Sequence, residues 1–391
     1  MSAVTAPPLI ELGAPVLGEP EKRALAEVID TGWLTMGERV RRFEQAFAGV
    51  HRASDAVAVH SATAALQLSL AAFDIGPGDE VLVPSLSFVA TASVVVHAGA
   101  TPVFVDIEGS DRPHISVDDA RTRITERTRA VIVMHYGGYR VDMPRWRALA
   151  DEFGLCLFED AAHAAGMAEQ VGVLSDAASF SFFTNKNMTT AEGGMMLIRD
   201  DARRERARLL RAHGMTASTL DRDRGRAVGY DVVECGHNFR MDELRAAMGL
   251  VQIERLEGWN ARRRALTETY RQALARELPE VTVPFDSTHP TTAHLLPALL
   301  PPGTDRPAVM AHMREARVQT SVHYPPIHQF DYYLRTLGGV SLPHTERFCR
   351  DELTLPLHPQ LSTADVERVV RSLHQALAAG SHEHPRGETT T

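Results

Sequence analysis

The chain has 391 residues, 44% hydrophobic and 23% charged, a composition that suits a soluble globular protein of roughly two or three domains. Lys plus Arg is 41 against 50 for Asp plus Glu, a formal charge of −9, which argues against nucleic acid as the partner because phosphate-backbone binding draws on clustered positive charge. The three cysteines, Cys156, Cys235 and Cys349, are too few and too scattered for a disulfide framework. No basic segment followed by an apolar core opens the chain, so a cytoplasmic setting is expected.

Residues 1–15 read as an N-terminal arm. From there strand-like and helix-like segments alternate: strand at 56–60, helix at 62–73, a Gly76-Pro77-Gly78-Asp79 turn, strand at 81–84, helix at 88–98 and strand at 103–106. The stretch between Glu80 and Asp106 is uncharged and long enough to raise the membrane question. However, Pro84 and Pro102 interrupt it and polar residues are scattered through it, so it reads as strand, loop, helix and strand in one core. A capping box at Ser116-Val117-Asp118-Asp119 opens another helix. Strands follow at 131–135, 155–159, 178–182 and 195–198, with a helix at 144–153. This alternation predicts an α/β fold with a largely parallel sheet covered on both faces. From Met241 the spacing turns helical, and 255–276 reads as a long arginine-rich helix ended by Pro279 and Pro284. The expected division is a large domain over 16–255, a smaller C-terminal domain over 256–379 and a disordered polar tail over 380–391.

Several positions along this alternation carry chemistry. Asp160 follows the strand at 155–159, and open α/β sheets bind ligands at the carboxyl ends of their strands. A carboxylate there can hold a cation such as a protonated pyridine nitrogen; the plainer reading is an N-cap or a structural ion pair. Of the 41 basic side chains only Lys22 and Lys186 are lysines. An amine that must act as a nucleophile is one reason for Lys to persist against such a preference for Arg, since a guanidinium cannot take that role. An ordinary loop lysine is the alternative. Lys186 precedes Glu192-Gly193-Gly194, where glycines permit a sharp turn or a close backbone approach. At a strand-to-helix junction, Ser61, Ala62 and Thr63 place free amides and a helix dipole where a phosphate would sit, or else Ser61 is simply an N-cap. Phe88, at the start of the next helix, would stack on a flat ring or pack in the core. Together these residues suit pyridoxal 5′-phosphate, which needs a Lys for its Schiff base and an Asp for its ring nitrogen.

The ordered motifs resemble the DegT/DnrJ/EryC1/StrS family of sugar aminotransferases from about Pro15 to about Leu377. They include Thr31-Gly32-Trp33-Leu34-Thr35-Met36-Gly37, Gly99-Ala100-Thr101-Pro102-Val103-Phe104-Val105-Asp106, Glu159-Asp160-Ala161-Ala162-His163, the Lys186 block, Gly236-His237-Asn238-Phe239-Arg240-Met241 and His323-Tyr324-Pro325-Pro326. The resemblance implies the fold-type I architecture of pyridoxal-phosphate enzymes. It implies that Lys186 forms the Schiff base and then moves protons, that Asp160 keeps the pyridinium protonated, and that His163 lies near the phenolic oxygen. Phe88 would stack on the ring, and the backbone at Ala62 and Thr63 with the hydroxyl of Ser181 would hold the phosphate. Asn238 would reach the phosphate of the neighbouring subunit's cofactor, so the working unit would be a homodimer with shared active sites. Trp33, Thr35, His323 and Tyr324 fall in segments lining the sugar-nucleotide site, and Arg240 is a candidate partner for the donor's carboxylate. Ala62 stands where the family often has Gly, which keeps the amide, and Asn185 before the lysine is less usual. Relatives with His at the lysine position are dehydratases; Lys186 argues against that activity here.

The activity so implied moves an amino group from L-glutamate or L-glutamine to a nucleotide-linked keto-sugar. The surroundings of Lys186 and Glu192 resemble those of family members acting at C4 of 4-keto-6-deoxyhexoses more than other branches, which implies a dTDP-4-keto-6-deoxyhexose as the acceptor. The enzymatic alternative is a keto-inositol (scyllo-inosose-type) aminotransferase, and the alternative of another class is a regulator of this fold without turnover. The reaction needs no metal, and His323 and His328 lack a zinc-site spacing. Neither nucleic acid nor a membrane is an expected partner.

Overall fold

The computed structural model describes residues 7–167, 171–217 and 219–380; the tail expected beyond Gly380 lies outside the described residues. In chain order the elements are α1 (Glu19–Thr31), α2 (Glu38–Val50), β1 (Val57–Val59), α3 (Ala62–Ala72), β2 (Glu80–Pro84), α4 (Ala90–His97), β3 (Thr101–Val105), α5 (Val117–Arg123), β4 (Thr128–Met134), α6 (Met143–Phe153), β5 (Cys156–Asp160), β6 (Ala177–Ser181), β7 (Gly194–Ile198), α7 (Asp201–Arg211), α8 (Thr219–Asp223), α9 (Glu243–Ile253), α10 (Leu256–Glu277), β8 (Leu296–Leu299), α11 (Arg306–Glu315), α12 (Asp331–Leu337), α13 (Pro343–Asp351), β9 (Glu352–Leu355) and α14 (Thr363–Gly380).

The first seven strands form one sheet in the order β1-β7-β6-β5-β4-β2-β3. The pairs β3–β2, β2–β4, β4–β5 and β5–β6 are parallel. β7 runs against both β6 and β1, so six of the seven strands point their carboxyl ends to one edge. The strands are buried on both faces, as a parallel sheet under two helical layers requires. On one face Val57, Val59, Val83, Ile132 and Met196 share a core with residues of α3, α4 and α7. On the other, Leu82, Val131 and Leu157 meet Trp146 and Leu149 of α6, while Ala58, Phe180 and Met195 meet Phe43 and Phe47 of α2 and Ala246 of α9. The two sets alternate along each strand because successive side chains point to opposite faces.

The uncharged stretch becomes β2, α4 and β3, and no helix among the described residues is long and apolar enough to cross a membrane. α4 begins at Ala90, so Phe88 precedes the helix, in the bend that follows β2. The arginine-rich segment is α10, whose buried stripe of Leu266, Tyr270 and Leu274 packs with α11, α14, β8 and β9 in a separate core. Two segments tie the units together. Ile10 pairs with Val318 and packs into that second core, while Ile327, Tyr333 and Leu342 return to the first.

Glu243, at the start of α9, is buried beside the N-terminus of α2. Its Oε1 accepts from Gly37 N at 3.0 Å and Val40 N at 2.9 Å, and its Oε2 from Arg39 N at 3.0 Å. Those are amides that a helix cannot satisfy internally, and the dipole there favours a carboxylate. Glu243→Ala leaves them without that acceptor; a loss of about 2–3 kcal/mol is expected, read as a lower thermal midpoint.

Candidate active site

The carboxyl edge of the sheet opens into a cavity of ≈350 Å³. β5, β6, the bend after β2 and the start of α3 each contribute a wall, and the loop carrying Lys186 and the segment 323–324 close it. Asp160 is the last residue of β5 and is 3% exposed. Its Oδ2 accepts from Thr91 Oγ1 at 2.7 Å and its Oδ1 from Ala162 N at 3.2 Å. Ser87 Oγ lies 2.6 Å from Thr91 Oγ1 and 2.9 Å from Met134 Sδ, extending the chain of contacts to the end of β4. Behind Asp160, Glu159 faces the other side of the strand. There it takes His135 Nε2 at 2.6 Å and accepts from Gly172 N at 2.8 Å and from Ser175 Oγ. His135 Nδ1 accepts from Val141 N at 3.2 Å, so the ring hydrogen sits on Nε2 and is donated to Glu159.

Burial governs the charges in this cavity. It lowers the Lys186 amine to about 8 although Asp160 pulls the other way. It also raises the Asp160 carboxyl above its ordinary value, against the opposing pull of Thr91, Ala162 N, Lys186 and His135. For both groups desolvation outweighs their mutual attraction. His163 is pushed well below its usual value by burial and then by Lys186, His323 and His135, so its ring is neutral. His163 Nε2 lies 3.0 Å from Tyr324 Oη, and its Nδ1 is buried without a partner among the described residues.

The loop that presents Lys186 is pinned from below. Asn187 Oδ1 lies 2.8 Å from His294 Nδ1, and Asn187 Nδ2 donates to Asn260 Oδ1 at 2.7 Å and to Thr292 O at 2.9 Å. Thr292 Oγ1 donates to His163 O at 2.6 Å, so one buried network sets the heights of Lys186 and His163 together.

At the far end of the cavity, Ser61 caps α3 by accepting from Ala64 N at 3.1 Å. Ala62 and Thr63 line the cavity at the first turn of α3, where a helix leaves its amides without internal partners and where no acidic residue competes for them. Ser181 Oγ accepts from Phe183 N at 3.3 Å, and its hydrogen remains free to donate. Gly194 backs directly onto this turn: a Cβ there would stand 2.4 Å from Ser61 C and 2.7 Å from Ala62 N, so only glycine fits.

Nine of the residues singled out in the sequence therefore line one cavity: Ala62, Thr63, Phe88, Asp160, His163, Ser181, Lys186, His323 and Tyr324. The other four lie elsewhere in the subunit. Thr35 and Arg240 line a separate cavity of ≈280 Å³ with Arg208 and Arg211. Asn238 is exposed and bridges to Ala212, and Trp33 packs against Gly37 with its Nε1 buried and without a partner among the described residues. Sequence reasoning did not reach Thr91, which holds Asp160, nor Asn187 and His294; no spacing links positions 69 or 107 residues apart.

A mostly parallel sheet with a half-buried lysine and a buried carboxyl at its carboxyl edge, beside a helix N-terminus with no acidic residue in its first turn, has the architecture of an aminotransferase. The DegT/DnrJ/EryC1/StrS aminotransferase family model matches residues 15–374, and the chain belongs to that family. The chain is 36% identical to the spore coat polysaccharide biosynthesis protein SpsC of Bacillus subtilis, over 92% of this chain and 95% of that one. Its fold matches Helicobacter pylori PseC, an aminotransferase of pseudoaminic acid biosynthesis, with a TM-score of 0.89 at 28% identity, covering 95% of this chain and all of the other. Spr1654 of Streptococcus pneumoniae, solved in a PLP-form, matches with a TM-score of 0.86 at 27% identity, over 95% and 99% of the two chains. The protein is thus an enzyme of the pyridoxal-phosphate-dependent sugar aminotransferase class.

Because Lys186 titrates near 8, roughly a tenth of it is the free amine at pH 7 and about half at pH 8. Lys22 is the only other lysine, so competitive reductive methylation at limiting reagent reads Lys186 against one internal control. The expected result is that the labelling of Lys186 in the cofactor-free protein follows a titration centred near pH 8, measured by peptide mass spectrometry.

Proposed function

We propose that the protein transfers an amino group from L-glutamate, or L-glutamine, to a nucleotide-linked keto-sugar of the dTDP-4-keto-6-deoxyhexose kind, with pyridoxal 5′-phosphate held in the 350 Å³ cavity. The observation that carries this reading is a half-buried lysine amine, lowered to about 8 by desolvation, in one cavity with an enclosed carboxyl and the first turn of a helix.

The residues present fit that cofactor. The amides of Ala62 and Thr63 and the hydroxyl of Ser181 are the donors for a phosphate. The pull of Lys186 does not offset the burial of Asp160, and a protonated ring nitrogen would add the charge that favours its ionised form. The orphaned Nδ1 of His163 is the ring atom left for the phenolic oxygen. When bound, pyridoxal phosphate supplies a carbonyl that takes up the donor's amine and a ring that draws electrons from the adjacent carbon. Lys186 has the only amine lining this cavity, and its depressed pKa lets Nζ both accept and return a proton near neutral pH. Phe88 and Tyr324, with ring centroids 6.0 Å apart, flank the mouth and limit the entry of water.

We assign Trp33, Thr35, Asn238 and Arg240 to the cavity of the partner subunit in a cytoplasmic homodimer. Val228, Tyr230, Val232 and Val233 are more than half exposed close by in sequence, an apolar surface of the kind that subunit association covers. The division at 255/256 is retained in this proposal, since α10 leads into the second core.

Adding pyridoxal phosphate to the purified protein is expected to produce a visible absorption band that bleaches with L-glutamate and returns when a dTDP-4-keto-6-deoxyhexose is supplied. Lys186→Ala is expected to lack it, and Asp160→Ala to slow the bleaching by roughly 10²-fold or more. The same band in Lys186→Ala would overturn the cofactor assignment. Return of the band with scyllo-inosose but not the nucleotide sugar would overturn the substrate.

A further inference from the structure

One buried carboxyl beside the cavity has no part in the chemistry above. Glu352, the first residue of β9, is 0% exposed. Its Oε2 accepts from His323 N at 3.0 Å, and its Oε1 lies 2.5 Å from Thr354 Oγ1. Thr354 Oγ1 lies in turn 2.8 Å from His323 Nδ1. His323 lines the cavity, its carbonyl takes the Tyr136 hydroxyl at 2.5 Å, and its Nε2 has no partner among the described residues.

We infer that Glu352, Thr354 and His323 form a proton wire that stores one proton on a buried carboxyl and presents it to the substrate at His323 Nε2. In the loaded state Glu352 Oε1–H donates to Thr354 Oγ1, whose hydrogen goes to His323 Nδ1, so that His323 carries its hydrogen on Nε2. When Nε2–H is given up to a substrate oxygen, the hydroxyl hydrogen moves to Nδ1 and the carboxyl hydrogen to Oγ1. The result is a Glu352 carboxylate accepting from Thr354, which accepts from Nδ1–H. One proton leaves the wire, one negative charge remains on Glu352, and every nitrogen and oxygen between them is still bonded. Amination of a keto group expels its oxygen as water, and a neutral donor in the cavity wall assists that departure. Glu352 and Thr354 act through His323 and are positioning residues.

The surroundings favour the loaded state near neutral pH. Arg306 is the nearby cation, but its guanidinium is spent on the backbone carbonyls of Glu352, at 2.8 Å, and Cys349. Tyr136, Tyr324 and Cys349 face the carboxyl from the other packed segments and are neutral, their hydroxyls and thiol raised by burial. Burial raises Glu352 to about 8. Burial, with Lys186 across the cavity, lowers His323 to about 4, so between these values the imidazole carries a single hydrogen. Below about 8 that hydrogen is on Nε2, and above it on Nδ1.

This inference rests on the proposed function for its substrate, but its test does not. The pH series is run on cofactor-free protein with 15N-labelled histidine, His323 being assigned by its loss in His323→Gln. The two ring nitrogens of His323 are expected to exchange protonated and unprotonated shifts across pH 7–9. In Glu352→Gln the amide donates permanently to Thr354, so the Nε2–H form should persist throughout. Thr354→Val should abolish the pH response. No exchange in the wild type, or the same exchange in either variant, overturns the wire. The thermal midpoint of Glu352→Gln at pH 8 should equal or exceed that of the wild type, since a buried carboxylate is removed; should that variant not fold, Thr354→Val decides. A pH-linked exchange without a visible band on adding pyridoxal phosphate would fault the proposed function and leave the wire standing; the reverse pattern would fault the wire alone.

Discussion

The organisation of this protein depends on holding an amine and a carboxyl together in one small, largely desolvated space. Removing a charge from water costs several kcal/mol unless partners restore what the solvent supplied. Thr91 and the Ala162 amide do this for Asp160, and only the coulombic pull of Asp160 does so for Lys186. The remaining deficit appears as the shifts themselves: a lysine near 8 and an elevated aspartic acid. A site in this condition favours a ligand that brings a positive ring nitrogen and a carbonyl carbon, because each would relieve a group the fold leaves undersupplied.

Such a site holds only if the walls are rigid, and the structure anchors each wall to something behind it. Asp160 ends a strand whose preceding residue, Glu159, is locked to His135 on the opposite face. The lysine loop rests on Asn187, which binds α10 through Asn260 and the segment 291–294 through Thr292 and His294. His163 is tied to Thr292 on one side and to Tyr324 on the other. Residues from the C-terminal part of the chain therefore set the positions of groups on the sheet. The C-terminal part serves the site as well as its own core.

Much of the architecture was legible because its cause is local. Alternating apolar strands and amphipathic helices follow from short-range periodicity, and the boundaries shift by one to three residues, most at the start of β4, which begins at Thr128 rather than Val131. The helix expected from Phe88 begins two residues later, at Ala90, and the Ser85–Phe88 stretch before it is bent, with Ser87 and Thr91 against Met134 and Asp160. Lys186 was marked by its scarcity, Asp160 by its place after a strand, and Ala62 and Thr63 by a strand-to-helix junction. All are features of a few neighbouring residues.

The sequence by itself thus determined the alternation of elements, the edge of the sheet where chemistry gathers and the residue types able to perform it. Only the tertiary structure decided that Thr91 holds Asp160, that His294 and Asn260 support the lysine loop, and that Glu352 stands behind His323. It also placed Thr35 and Arg240 in a second cavity of the subunit with Arg208 and Arg211. The physical reason is range. Periodicity and capping act over a few residues, whereas desolvation and hydrogen bonding join whatever the packing of the two cores brings within about 3 Å, at sequence separations that carry no pattern.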